Sequence, residues 1–170
     1  LKAFEVIIQG GAVLSIIFLY LKEMFESKRM FFNLVISFAP TALVGAVLYP
    51  VIKGFFFENQ LLITIVFIFV GLIFLLIEKL NLKLNKTAEG ISKKQALIIG
   101  LFQAAAVVPG ISRAAAVIVG MIILGFKRDS AAKYSFMLSI PTILAASVFD
   151  IFKNANLLTS SYDHIYWLTV

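Results

Sequence analysis

Four stretches of about twenty apolar residues, at 4–21, 31–52, 61–80 and 134–152, govern what this chain can fold into. Each has the length an α-helix needs to cross the hydrocarbon core of a bilayer. Hydrocarbon offers the backbone no hydrogen bonds, so a spanning segment must satisfy its own N–H and C=O groups, and a helix does so within one segment. The expected fold class is therefore all-α, a polytopic integral membrane protein forming a single membrane domain over 1–170. Composition agrees. Apolar residues make up 61% of the chain and charged residues 14%, with a mean hydropathy of +1.01, whereas soluble domains are roughly 45–50% apolar.

A fifth apolar tract breaks the pattern. Residues 95–126, "QALIIGLFQAAAVVPGISRAAAVIVGMIILGF", are too long for one span. Pro109-Gly110 divides them into two halves, each too short to cross. Two half-helices meeting at a break form the simplest arrangement, and the basic residues help to orient it. Alternation puts Lys22, Lys28 and Arg29 on the same side as Lys79, Lys83, Lys86, Lys93 and Lys94. If 95–126 enters and returns as a re-entrant hairpin, Lys127, Arg128 and Lys133 join them. That arrangement leaves 11 basic residues inside against 3 outside, whereas a single crossing gives 9 against 5. The excess of Lys and Arg on cytoplasmic loops favours the hairpin. The net charge of +6 thus falls in short clusters between spans, a membrane signature and not a nucleic-acid face.

The hairpin tip, "PGISRAAAV" at 109–117, has definite chemistry. Pro109 lacks an N–H and ends the first half-helix. Gly110 permits the reversal. Ser112 stands at an N-cap position, so the second half-helix begins at Arg113. The free N–H groups and positive dipole end of that helix face the tip, which suits an anion. Arg113 adds a planar fork of donors matched to phosphate oxygens. The alternatives are an ion pair with a buried carboxylate such as Glu5, or a side chain that snorkels to the interface.

Other chemistry is sparse. The chain has no cysteine, hence no disulfide or thiolate site, and its one histidine, His164, cannot form a histidine metal cluster. His164 lies beside Tyr162, Tyr166 and Trp167, an aromatic belt at a span edge. Asp150 and Lys153 have helical pairing distance, and "ISKKQ" at 91–95 is a helix start. Residue 1 is Leu, no charged segment and cleavage site precede the first apolar run, and the end, "HIYWLTV", begins another apolar segment. The chain is expected to be an internal piece of a longer membrane protein.

The stretch "GLFQAAAVVPGISRAAAVIVGMIILGFKRDSAAKYSFMLSIPTILAAS" resembles the second signature of the undecaprenyl-diphosphate phosphatase family, the bacitracin-resistance proteins, whose pattern runs G-x-x-Q-x-x-A-x-x-P-G-x-S-R-S-G-x-T. "FEVIIQGGAVL" at 4–14 resembles that family's first full span, so the likeness covers essentially the whole chain. The resemblance implies a hydrolase of the bacterial inner membrane, multi-pass, with its active site toward the outer face. It would convert undecaprenyl diphosphate to undecaprenyl phosphate plus phosphate and so recycle the lipid carrier of peptidoglycan synthesis. The implied fold is part of an inverted repeat; spans 4–21 and 134–152 run in opposite directions, as such a repeat requires.

By the resemblance, Ser112 and Arg113 match the family's diphosphate-binding pair, with Arg113 catalytic; Gly110 belongs to the turn, and Gln103 is a further substrate contact or an interhelical hydrogen bond. Gln9 is read as packing and Glu5 as solvated or paired. The implied partners are a polyprenyl diphosphate lipid and the bilayer, with a homodimer compatible with the family and no nucleic acid. The implied cofactor is Mg²⁺ or Ca²⁺. Its carboxylate ligands, together with a serine and a histidine, belong to a signature expected upstream of Leu1, and Glu23, Glu26, Glu78 and Glu89 are not ligands. One departure bears on activity: Ala114, Ala115 and Val117 replace the Ser-Gly-x-Thr that follows the arginine in the family pattern. An anion transporter using the same broken-helix site, or an inactive relative, are the alternatives to the phosphatase.

Overall fold

A computed structural model describes the backbone of residues 2–51, 59–80 and 82–160, and most side chains between 14 and 148. The described residues are all-helical. Helix α1 (Lys2–Glu26) is followed by α2 (Lys28–Val51), α3 (Gln60–Lys79), α4 (Lys93–Ala104), α5 (Arg113–Ile123) and α6 (Arg128–Ser160), with short 3-10 turns at Ala88–Gly90 and Ala105–Val107. Lys28–Leu48 of α2 and Gln60–Lys79 of α3 are long and apolar enough to cross a membrane. Large apolar side chains such as Leu61, Phe67, Phe69 and Leu75 stand exposed along α3, the surface of a membrane protein.

The helices overrun the apolar stretches. Residues 22–30, expected as a loop, are helical except for Ser27. Ser27 caps α2, its Oγ accepting from the Met30 N–H at 3.3 Å and its carbonyl from the Phe31 N–H at 3.1 Å. Phe25 and Phe31 stack across this corner with ring centroids 5.5 Å apart. Lys and Glu are good helix formers. Hydropathy therefore marks where a helix would leave the bilayer and not where it ends.

The fold is built on the contact between α2 and α4. Asn33, Ser37 and Thr41 recur every four residues on α2 and form a buried polar stripe. Asn33 Nδ2 donates to the Ile91 carbonyl at 2.8 Å and Ser37 Oγ to the Ala96 carbonyl at 2.7 Å. Thr41 Oγ1 makes a longer approach to the Gly100 carbonyl, 3.5 Å. Ser37 also exchanges a hydrogen bond of 2.8 Å with the hydroxyl of the fully buried Tyr134, drawing in α6. A Cβ on Gly100 would stand 2.4 Å from the Ser37 carbonyl oxygen, so only glycine permits this approach. Around the stripe lies an apolar core of Leu34, Ile91, Ile99, Val117, Met121, Phe126, Met137 and Leu138, contributed by α2, α4, α5, α6 and their connections.

α5 folds back on α4. Gly120 lies so close to Phe102 that a Cβ would meet the ring at 2.8 Å. The strand-like ends are clasped together: the Asn85 and Lys86 N–H groups donate to the Gly125 carbonyl, Lys127 N–H to the Lys86 carbonyl, and Lys86 Nζ to the Leu124 carbonyl at 2.6 Å. Gly125 closes this turn with a φ of 86°, a left-handed conformation that favours glycine. The segments entering α4 and leaving α5 are therefore neighbours, and the Pro109–Gly110 break lies at the far end.

Two ion pairs tie the same end to other helices, Lys133 to Glu23 and Arg128 to Glu78. The hydrogen bond to Glu23 raises the Lys133 ammonium above its ordinary pKa. Hydrogen bonds from its own backbone and from Thr87 hold the Glu89 carboxyl below its usual range.

Replacing Gly100 with Val inserts side-chain atoms against the Ser37 backbone and forces α2 and α4 apart. The expected cost is about 1–3 kcal/mol or more, measurable as a lowered Tm in detergent. Leu101→Val, at an exposed position of the same helix, should leave Tm within a degree or two, about 0.5 kcal/mol.

Candidate functional site

The break between α4 and α5 is built as its residues dictate. α4 tightens into the 3-10 turn at Ala105–Val107, closed by a hydrogen bond of 3.1 Å from the Val108 N–H to the Ala105 carbonyl. Val108 is extended, as a residue before proline prefers. Gly110 reverses the chain with a φ of 96°. A Cβ there would also meet the Ile63 carbonyl of α3 at 2.8 Å, so glycine is required for conformation and for space. Ser112 is the N-cap of α5, its Oγ accepting from the Ala115 N–H at 3.4 Å, and Arg113 is the first residue of the helix.

Arg113 faces a cavity of about 490 Å³. Phe38, Thr41 and Gly45 of α2 line one side, Thr142, Ala145 and Ala146 of α6 another, and Ala106 and Val107 the hairpin tip. The walls are mostly apolar, and among the described residues Arg113 is the one charged side chain on them. Arg113 itself is half-buried. Among the described residues it has neither a carboxylate partner nor a hydrogen-bond acceptor; the side chain of Glu5 lies outside them. A partly buried guanidinium with free donors at a helix N-terminus can hold an anion.

Gln103 is 2% exposed and takes the interhelical role: its Nε2 donates to Thr142 Oγ1 at 3.0 Å, and Thr142 Oγ1 donates to the Leu138 carbonyl at 2.7 Å. Thr142 in turn lines the cavity. The chain thus brings Gly110, Ser112 and Arg113 together at the tip, with Gln103 fastened behind them to α6. Thr41 and Thr142 are not marked by any motif in the sequence, although Thr41 follows Asn33 and Ser37 at helical spacing.

No group of three acidic, histidine or cysteine side chains suited to a metal ion occurs among the described residues. Glu23 and Glu78 are engaged by Lys133 and Arg128. Among the described residues the cavity is lined by a cationic group and no carboxylate, so these residues do not fit Mg²⁺ or Ca²⁺. His164, Tyr162, Tyr166 and Trp167 lie outside the described residues, as do the side chains of Gln9, Glu26, Asp150 and Lys153.

The model of the family "Bacitracin resistance protein BacA" matches residues 1–169. The chain belongs to this family. Its curated relatives include the undecaprenyl-diphosphatase of Campylobacter hominis, 39% identical over 97% of this chain and 65% of the relative. The undecaprenyl-diphosphatase of Persephonella marina is 41% identical over 90% of this chain and 61% of the relative. Undecaprenyl-diphosphatase 1 of Mesorhizobium japonicum is 37% identical over 94% of this chain and 64% of the relative. The chain therefore spans somewhat less than two thirds of the length of these relatives.

The three positions after Arg113 at which the sequence departs from the expected Ser-Gly-x-Thr pattern are not equivalent. Val117 is 1% exposed in the central core and Ala115 is 9% exposed, so neither opens toward the tip. Ala114 is exposed on the first turn of α5, beside Ser112 and Arg113. If the tip holds a diphosphate, adding a hydroxyl there, Ala114→Ser, should tighten binding of inorganic diphosphate by about tenfold, the effect of one added hydrogen bond to a charged group, with Tm unchanged. Val117→Thr should leave that affinity unchanged and lower Tm, because it buries a hydroxyl among apolar neighbours at a cost of about 1 kcal/mol or more. Calorimetric titration and thermal unfolding of the two variants check both outcomes.

Proposed function

We propose that this chain carries the anion-holding half of an undecaprenyl-diphosphatase of the bacterial inner membrane. The observation that supports it is Arg113: a half-buried guanidinium with no partner among the described residues, facing a mostly apolar cavity. A polyprenyl diphosphate has matching chemistry, with a multiply charged head for Arg113 and a hydrocarbon tail for walls such as Phe38, Gly45 and Ala145.

In this reading the clasped hairpin of α4 and α5 re-enters the membrane from the cytoplasmic side and presents its tip toward the outer face. The basic residues favour that direction: Lys83, Lys86, Lys93, Lys94, Lys127 and Arg128 all adjoin the clasped end. The element order also suits one half of an inverted repeat with broken helices near the membrane centre.

The reaction is phosphoryl transfer to water. A water oxygen bonds to the terminal phosphorus, the bond from that phosphorus to the bridging oxygen breaks, and the bridging oxygen leaves on undecaprenyl phosphate. Arg113 and the free N–H groups of the first turn of α5 would hold the non-bridging oxygens and stabilise the charge that spreads over them in the transition state. Gly110 makes the reversal and lets α3 pack against the tip, and Gln103 holds α4 to Thr142 so that the tip keeps its place. The nucleophile's activating base, and the carboxylates for any divalent cation, would come from outside the described residues.

Phosphate release from undecaprenyl diphosphate by the full-length protein tests this. Arg113→Ala should lower kcat/KM by about 10²–10³-fold, as loss of a transition-state donor does, and Arg113→Lys should recover only part because it lacks the bidentate fork. A folded Arg113→Ala protein with parental phosphate release would contradict the proposal. Movement of intact lipid diphosphate across vesicles without phosphate release would point to transport.

A further inference from the structure

A second hollow, of about 540 Å³, lies between the starts of α2 and α4, at the opposite end of α4 from the hairpin tip. Arg29, Phe32, Asn33, Ile36, Ser92 and Lys93 line it. The phosphatase reading makes no use of it.

Its polar edge is cationic. Arg29 and Lys93 stand on it, Lys28 and Lys94 adjoin them in sequence and are exposed, and no carboxylate lines it among the described residues. Arg29 is held in place by its own donors: Nε and Nη2 reach the Ile91 carbonyl at 3.2 and 3.0 Å. Its Nη1 has no acceptor among the described residues, and neither has the Lys93 ammonium. Asn33 is committed to the same Ile91 carbonyl and fixes the floor.

The remaining wall is apolar. Phe32 is 60% exposed and Ile36 follows it one turn along α2, within the segment Lys28–Leu48 that is apolar enough to cross a membrane. Two cations at the first turns of two helices, Arg29 anchored and Lys93 exposed beside it, with an apolar wall running from them along a segment apolar enough to cross a membrane, match a ligand that is anionic at one end and hydrocarbon at the other. A free anion would use the cations and leave Phe32 in contact with nothing. An acidic peptide would place polar backbone against that wall.

We infer that this groove seats an anionic glycerophospholipid, its phosphodiester between Arg29 and Lys93 and an acyl chain along Phe32 and Ile36. Such a lipid would pin the α1–α2 corner to the start of α4, the two ends that Arg29 already joins. Anionic headgroups in basic pockets on the cytoplasmic side of helix bundles follow the same electrostatics.

Native mass spectrometry of the full-length protein, titrated separately with phosphatidylglycerol and phosphatidylcholine of equal chain length, tests the assignment. Phosphatidylglycerol should bind more tightly, and Lys93→Gln should weaken it about fivefold, the effect of one interfacial cation. Lys79→Gln, the same loss of charge at the end of α3, should change it less than twofold. Arg29→Ala also removes the hold on Ile91, so Lys93→Gln keeps the test readable if that variant does not fold. Equal binding of the two lipids would overturn the inference, as would an equal effect of Lys79→Gln, which would mean diffuse charge attraction. Complete displacement of phosphatidylglycerol by millimolar inorganic phosphate would overturn it too, because the hydrocarbon wall would then contribute nothing.

Discussion

The close approach of α2 and α4 is the contact on which the rest of the structure depends. In an apolar solvent hydrocarbon packing gives helices little preference for one another over lipid, so small residues and interhelical hydrogen bonds decide where they meet. Gly100 supplies the smallness, and Asn33 and Ser37 supply the bonds. Tyr134 reaches the same Ser37 hydroxyl from α6, which makes one serine the meeting point of three helices. Moving any of the three would change the shape of the cavity above, because Thr41, one turn beyond Ser37, is part of its wall.

The hairpin tip, the proposed site, is held in place by that packing. A break in a helix leaves backbone donors without partners, and in the proposed re-entrant arrangement it would be tolerated because it lines a cavity. Here the break brings a glycine with a left-handed φ, a capped helix start and a half-buried arginine into one place. Gln103 and Thr142 anchor the preceding helix to α6, so the tip is supported from behind as well as from α3 through Gly110.

Local chemistry was legible in the sequence. Pro109, Gly110 and Ser112 each act on neighbouring backbone, and the structure caps α5 at Ser112 and starts it at Arg113 as their order requires. Partners distant in sequence were not legible: Gln103 meets Thr142 and Glu23 meets Lys133 only after the chain has folded back. The polar stripe of Asn33, Ser37 and Thr41 lies between these cases. Its spacing of four was visible, but its meaning depended on Gly100, which belongs to another helix. The helix ends around Ser27 do not follow from hydropathy, because apolar runs report solvent preference, whereas caps and propensities terminate helices.

The most direct measurement is an experimental structure of the full-length protein with a short-chain polyprenyl methylene-diphosphonate, which cannot be hydrolysed at the bridge. The phosphonate oxygens are expected within hydrogen-bond distance of the Arg113 guanidinium and the first-turn N–H groups of α5, about 2.7–3.2 Å, with the prenyl chain entering the cavity between α2 and α6. A phosphonate bound away from the tip, with Arg113 instead closed onto a carboxylate, would contradict the assignment of this break as the diphosphate site.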